Sequence, residues 1–203
     1  VLGTENAALG PMSAILLRTE SASSSQIENL TVSAKQLALA EIGAGASPNS
    51  QTVIGNVRAM EAAVALTEQL SVDAILTMHR ELLTHQRGME EHAGWLRKEL
   101  VWIGKGNAGP READFVAPQP ELVPSALADL LTFADRADMP ALLQIAVAHA
   151  QFETIHPFVD GNGRTGRALV QVMLRASGIV SHTTVPLSAG LLTDLELYFA
   201  ALG

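Results

Sequence analysis

Apolar residues recur at helical spacing along most of this chain. Gln26 to Glu41 and Pro48 to Leu70 both read as helices, with Gly43-Ala44-Gly45 as the loop between them. Ser47 is placed to cap the second, whose first helical position is then a proline. Ser71 starts a further helix reaching about Thr84, and Pro120 to Phe133 and Pro140 to Ile155 continue the series. Gly161 and Gly163 interrupt the pattern before a helix from about Arg164 to Ala176, and Leu191 to Phe199 is again in helical period. One region differs. Leu100-Val101-Trp102-Ile103 and Phe115-Val116-Ala117 are short β-prone runs around a glycine-rich turn, which predicts a hairpin. No internal repeat occurs, and the one low-complexity tract is Ser21-Ala22-Ser23-Ser24-Ser25. The expected fold is mainly α with one β excursion.

Composition narrows the classes of partner. With 203 residues and 48% hydrophobic content the chain can bury one substantial core. A net charge of −8 argues against a broad footprint for nucleic acid or an anionic membrane, both of which need clustered lysine and arginine. There is no cysteine, so disulfides and thiolate metal sites are excluded and a reducing compartment, the cytoplasm, is expected. No apolar run approaches the roughly 18 residues of a membrane span, and no basic-then-apolar leader is present. Val1 in the first position and a helical pattern still running at the last residues predict a fragment of a longer protein.

The chemistry is concentrated in His156-Pro157-Phe158-Val159-Asp160-Gly161-Asn162-Gly163-Arg164-Thr165-Gly166-Arg167. An imidazole can take a proton from a hydroxyl near neutral pH, and a carboxylate suits a hard divalent cation. Glycine lets backbone N–H groups converge on an anion, while arginine presents phosphate with a planar fork of donors. Gly161 to Gly166 also fit G-x-G-x-x-G, but the residues before them read as helix rather than strand, so a dinucleotide fold is rejected. The P-loop pattern is absent. What remains is a loop between two helices, with the positive end of the second facing an anion.

At every specified position this stretch matches H-x-F-x-[DE]-G-N-G-R-x-x-R, and the chain resembles the Fic domain family. The helical content, the hairpin and the Phe152-Glu153-Thr154-Ile155 lead-in resemble the family as well. The resemblance implies a helical bundle with a β-hairpin flap that transfers AMP from ATP to a protein hydroxyl. His156 would be the general base, and Asp160 would hold Mg²⁺. Backbone amides of Gly161, Asn162 and Gly163, with the Asn162 side chain, would form an anion hole, and Phe158 would belong to the nucleotide site. Arg164 would grip the α/β-phosphates and Arg167 the γ-phosphate.

Ser24-Ser25-Gln26-Ile27-Glu28-Asn29 fits [ST]-x-x-x-E-[GN], similar to the inhibitory-helix motif of many Fic proteins. Alone this pattern describes an ordinary helix on a solvated face. Beside the full signature it implies that Glu28 pairs with Arg167 where the γ-phosphate belongs, with Ser24 tying the helix to the core. Residues 1–45 would then be an N-terminal inhibitory segment and 46–203 the Fic core, with the flap at about 100–117, the whole forming one compact domain. The flap would bind the target by β-augmentation. A homodimer controlling release of the inhibitory helix also belongs to this picture.

Several residues are set aside. His79, His85 and His92 lack zinc-type spacing and are expected as packing or surface residues. His149 is expected as a hydrogen-bonded core histidine, and Trp95 and Trp102 as packing for the hairpin base. Two alternatives to adenylyl transfer stay open. One is removal of AMP, with Glu28 aligning water, or use of another nucleotide. The other is a non-enzymatic nucleotide sensor attached to a DNA-binding domain.

Overall fold

The computed structural model describes residues 9–44, 47–65, 70–84, 86–104, 109–181 and 183–202. Helices dominate it. In chain order they are α1 (Leu9–Ile27), α2 (Ala34–Glu41), α3 (Pro48–Ala65), α4 (Val72–Leu83), α5 (Val123–Ala134), α6 (Ala141–Ile155), α7 (Asn162–Ala176), α8 (Leu187–Leu191) and α9 (Leu195–Leu202). The hairpin consists of β1 (Trp102–Ile103) and β2 (Phe115–Val116), antiparallel with Trp102 opposite Val116 and Ile103 opposite Phe115. Ala117 N–H donates to Val101 O at 3.1 Å and extends the ladder towards the core. The glycine-rich tip and His85 lie outside the described residues.

The expected caps form. Ser47 accepts from the Ser50 amide at 3.2 Å, and Ser71 accepts from the Ala74 amide at 3.2 Å. The terminal apolar stretch is interrupted rather than continuous: Asp194 accepts from the Leu197 amide at 2.9 Å and so starts α9 as a separate helix.

The largest correction concerns the N-terminal region. Gln26 to Glu41 is not one helix: α1 ends at Ile27 and α2 begins at Ala34. Leu30 N–H bonds Ser25 O at 3.0 Å and Asn29 N–H bonds Gln26 O at 2.9 Å, with Asn29 left-handed at φ 60°. This is a Schellman closure in which asparagine takes the position usually given to glycine. Ser33 and Gln36 then form a capping box that opens α2. The Asn of the Ser24–Asn29 motif therefore has a physical task, which is to end the helix one residue after Glu28.

α7 lies at the centre, touching α1, α3, α4 and α6. Around it pack Met60 from α3, Ile75 and Met78 from α4, Val123, Leu127 and Leu130 from α5, and Phe152 and Ile155 from α6. Each such fully buried side chain contributes about 1.5–3 kcal/mol. A helix carrying three arginines, of which Arg164 and Arg167 are buried, is thus enclosed in the core, and its N-terminal end is where the chemistry gathers. Among the described residues no helix is long and apolar enough to cross a membrane.

Candidate active site

His156 closes α6 in a left-handed conformation, φ 48° and ψ 62°, which an L residue holds only when its surroundings enforce it. Its Nδ1 lies 3.1 Å from Glu153 O. A carbonyl only accepts, so Nδ1 carries the proton and Nε2 keeps its lone pair. Burial lowers the imidazole's pKa below its usual value, and nearby Arg97 acts in the same direction. The result is a neutral histidine with a basic nitrogen, facing Phe115 of β2 at 6.2 Å between ring centroids.

The loop beyond His156 is held by its own polar groups. Asn162 Oδ1 accepts from Phe158 N–H at 2.9 Å while Asn162 Nδ2 donates to Phe158 O at 2.9 Å. Both ends of the amide are spent on one residue, so the Asn162 side chain fixes the loop instead of lining an anion hole. Phe158 also departs from expectation. It is fully buried and stacks on His79 with ring centroids 3.6 Å apart, so it faces the core rather than a nucleotide.

His79 in turn is held by two backbone groups. Gly94 N–H donates to its Nδ1 at 3.0 Å, and its Nε2 donates to Asp160 O at 3.0 Å. Burial pushes its pKa down to about 4, so it serves as a neutral core histidine. His92 is partly exposed, and no group of acidic or histidine residues able to hold a metal by itself occurs among the described residues.

Asp160 has one oxygen accepting from the Gly161 amide at 2.6 Å and the other accepting from Gln86 Nε2. The Gly161 N–H thus faces Asp160 and not an external anion. Gln86 Oε1 accepts from Arg164 Nη1 at 3.1 Å, and Arg164 Nη2 lies 3.4 Å from Asp160. The Asp160 side chain is 38% exposed, whereas Arg164 is buried with its Nε unpaired. One open carboxylate with oxygen donors fits Mg²⁺, which characteristically takes one or two carboxylates and completes its shell with phosphate and water.

Gly161 begins α7 at φ 79°, where a Cβ would meet Leu82 at 2.8 Å. Thr165 N–H is the first to bond back, to Gly161 O at 2.9 Å, which leaves the amides of the preceding turn as the open positive end. The Glu28 carboxylate sits against it: a Cβ on Gly163 would run into Glu28 Oε1.

Arg167, one turn on, is 1% exposed and is held by Ser24 and Glu28. Its Nε donates to Ser24 Oγ at 2.8 Å, and Nη2 donates to Ser24 O at 2.9 Å and to Glu28 Oε1 at 2.7 Å. Burial opposes the charge most strongly of any one influence, but Glu28, Tyr198 and Glu153 together outweigh it, and the guanidinium's pKa is raised. Ser24 and Glu28 therefore meet Arg167 as the motif implied, across 139 and more positions of sequence.

α1 is seated by polar contacts. Glu20, fully buried, accepts from Ser188 Oγ at 2.6 Å and from Ser188 N–H at 2.8 Å, and Asn56 Nδ2 donates to Ser21 O at 2.7 Å. Beneath Arg167, His149 Nε2 lies 2.9 Å from Tyr198 OH, as expected of a hydrogen-bonded core histidine. Glu153 lies 3.9 Å from His149 Nδ1 with its Oε1 unpaired, and burial pushes its pKa up to about 7.

Trp95 and Trp102 do not pack the hairpin base; they are 69% and 44% exposed. A cavity of about 720 Å³ lies elsewhere, between α1, α2 and α3, and is walled by Arg18, Glu41, Arg58, Glu61 and Arg87. Its arginines and glutamates largely pair with each other, and it contains none of the His156–Arg167 residues. Chemistry locates the site better than volume does. Sequence reasoning missed Gln86, Arg97 and Glu20, which stand among other polar residues with no motif to single them out, and it expected His79 only as a packing or surface residue, not as a support for Asp160.

Comparison with known proteins agrees with this geometry. A Fic family protein from Desulfovibrio desulfuricans G20 superposes with a TM-score of 0.77 at 26% identity, over 95% of this chain and 57% of that one. A fragment of Fic-1 from C. elegans gives a TM-score of 0.73 at 26% identity, over 98% of this chain and 59% of that one. In sequence, the protein adenylyltransferase fic-1 of Caenorhabditis briggsae is 35% identical over 113 residues, and the protein adenylyltransferase Fic of Nematostella vectensis 32% over 115. Those matches take in 54% and 55% of this chain but only 20% and 24% of the relatives, so the chain corresponds to a minor part of their length. Residues 69–174 match the Fic/DOC family, just over half of the chain, and to that family the chain belongs.

Proposed function

We propose that this chain is a protein adenylyltransferase, moving AMP from ATP to a serine, threonine or tyrosine hydroxyl of a target protein, and that Glu28 restrains it. The observation that carries the reading is His156, with its Nδ1 proton committed to Glu153 O and its Nε2 left as a base, at the start of the loop that leads into α7. In the reaction His156 Nε2 takes the hydroxyl proton as the oxygen bonds to the α-phosphorus. The bond from that phosphorus to the α,β-bridging oxygen breaks, and pyrophosphate leaves with the electron pair. The open amides of the first turn of α7, with Arg164, stabilise the charge gathering on the α-phosphate. Asp160 would hold Mg²⁺, whose contribution is to neutralise phosphate charge.

Arg167 is the donor suited to the γ-phosphate, and Glu28 and Ser24 occupy it. A triphosphate arriving while that contact persists can be held only in a pose where the leaving group is not in line. The hairpin supplies an edge against which an extended segment of the target could pair, and the exposed Trp102, Ile103 and Val116 provide apolar contact there. The absence of cysteine favours a reducing compartment such as the cytoplasm.

The test is incubation with α-labelled ATP, Mg²⁺ and a soluble cell lysate. Glu28→Gly protein should place label on protein, and adding His156→Ala should reduce the rate by roughly 10²–10⁴-fold while leaving ATP binding in place. Label that survives His156→Ala at full rate would overturn the reading.

A further inference from the structure

Arg97 is 3% exposed and lies between the residues that precede the hairpin and the loop that carries His156. Its guanidinium makes no ion pair among the described residues, and every acceptor it reaches is a main-chain oxygen. Nη1 donates to Glu99 O at 2.9 Å, and Nη2 donates to Pro118 O at 2.6 Å and to Ile155 O at 3.4 Å. Nε donates to His156 O at 2.7 Å, and the Arg97 amide itself donates to Pro157 O at 3.0 Å.

These acceptors form two groups. Glu99 and Pro118 flank the hairpin on its two sides, just inside the Val101–Ala117 pair that begins the ladder. Ile155 and His156 supply the last carbonyls of α6, which have no intrahelical donors and form the helix's negative end. One planar, charged side chain therefore spans both legs of the hairpin and the backbone of the histidine. The carbonyl it grips most closely in the helix belongs to the residue at positive φ, whose conformation needs outside support.

We propose that Arg97 is a positioning residue that holds the hairpin and His156 at a fixed separation, so that a hydroxyl carried by a segment paired to the hairpin arrives within reach of the imidazole. This rests on the reading of His156 as base and the hairpin as target edge. Arg97 bonds none of the groups assigned to the triphosphate, the first turn of α7, Arg164 and Arg167, so an error in this separation falls on the transfer rate and leaves nucleotide binding alone. Lysine cannot replace the arginine, because one ammonium on a flexible stem cannot address two hairpin carbonyls and two helix carbonyls together.

The experiment compares Arg97→Gln and Arg97→Lys in the Glu28→Gly protein, with α-labelled ATP and a cell lysate as acceptor. Arg97→Gln should slow transfer by roughly 100-fold, the cost of about 1 Å of misplacement, with ATP affinity unchanged within about twofold. Arg97→Lys should recover part of that loss. Of the charges facing His156, Arg97 disfavours the imidazolium while Glu28 and Asp160 favour it. Glu28 is absent from all these proteins, so Arg97→Gln should raise the pH midpoint of the acidic limb, where His156 becomes protonated and the rate falls, and Arg97→Lys should leave it in place. Transfer at the parental rate in Arg97→Gln, or equal losses of transfer and ATP binding, would overturn the proposal. Should Arg97→Gln not fold, Arg97→Lys decides, with about a tenfold slower transfer expected and the parental rate contradicting.

If the Glu28→Gly parent shows no transfer, the adenylyl-transfer reading is what has failed. The coupling is then read without turnover. Arg97→Gln should speed amide exchange at Ala117 and shift the His156 ring titration upward, and no change in either would refute it.

Discussion

Two carboxylate–arginine pairs meet within one helical turn of each other at the start of α7, and they are built differently. Asp160 and Arg164 are four residues apart, meet at 3.4 Å, and share Gln86 as a third partner. Glu28 and Arg167 come from opposite ends of the chain, meet at 2.7 Å, and are joined by two acceptors from Ser24. The first pair is loose, meeting at 3.4 Å, so it can trade its internal contacts for a cation and phosphate oxygens. The second is tight at 2.7 Å, although its Glu28 carboxylate is as exposed as that of Asp160, 39% against 38%. A triphosphate would find one end of its site ready and the other already occupied by the protein's own anion.

Removing each arginine separates the two most sharply. Arg167→Met would strip the partners from Ser24 and Glu28 and should cost about 2–4 kcal/mol of stability in chemical denaturation. Arg164→Met should stay within about 1 kcal/mol of wild type, because replacing a buried guanidinium that has a long ion pair and an unsatisfied Nε by an apolar side chain also removes its desolvation cost. Equal costs would mean that the two pairs do not differ in the way described.

Glu153 sharpens the picture of the occupied end. It is a further carboxylate near Arg167 whose pKa is pushed up to about 7 by burial, so it is largely protonated in the folded protein below that pH. Between about 4.5 and 7 the folded state binds more protons than the unfolded state, and stability from this group falls as pH rises. The full difference is on the order of 3 kcal/mol. Glu153→Gln should lack this slope. His79 and His149, each lowered to about 4, contribute slopes of opposite sign in both proteins, so the readout is the difference in denaturation free energy between them across that window. A flat difference would contradict the assignment.

The smallest effect concerns the end of α1. Asn29→Ala places a Cβ-bearing residue without local hydrogen bonding at φ 60°, and should cost about 1 kcal/mol, whereas Asn29→Gly should be close to neutral. Loss of the Schellman closure would also loosen Glu28, so the alanine variant should label slightly faster than wild type. An alanine variant as stable as wild type would mean that this closure does not position Glu28.

What the chain's pattern made legible follows from locality. The His156–Arg167 stretch is contiguous, and a spacing of three on a helix places Arg164 and Arg167 on adjoining positions of one face. The Ser24–Asn29 motif could be read only through its resemblance to the inhibitory-helix motif; the terminating role of Asn29 was hidden inside the apolar pattern that predicts one helix from Gln26 to Glu41. The rest of α1 was not legible, because the face it buries is Glu20, Ser21, Ser24 and Ser25, which looks like a solvated polar tract until Ser188, Asn56 and Arg167 are brought to it. Gln86, His79 and Arg97 act through partners roughly twenty to eighty positions away, which no local periodicity announces. Asn162 shows the opposite limit. Its place in the motif was clear, but only the paired bonds to Phe158 reveal that its side chain holds the loop.

The central claim is that Glu28, by filling Arg167, keeps a competent site from transferring AMP. It is tested most directly by measuring label from α-labelled ATP on protein for wild type and Glu28→Gly side by side, at equal concentration with Mg²⁺. Freeing one charge-assisted contact worth about 1.5–3 kcal/mol predicts at least a tenfold faster incorporation in the variant. Equal rates in the two proteins would contradict it.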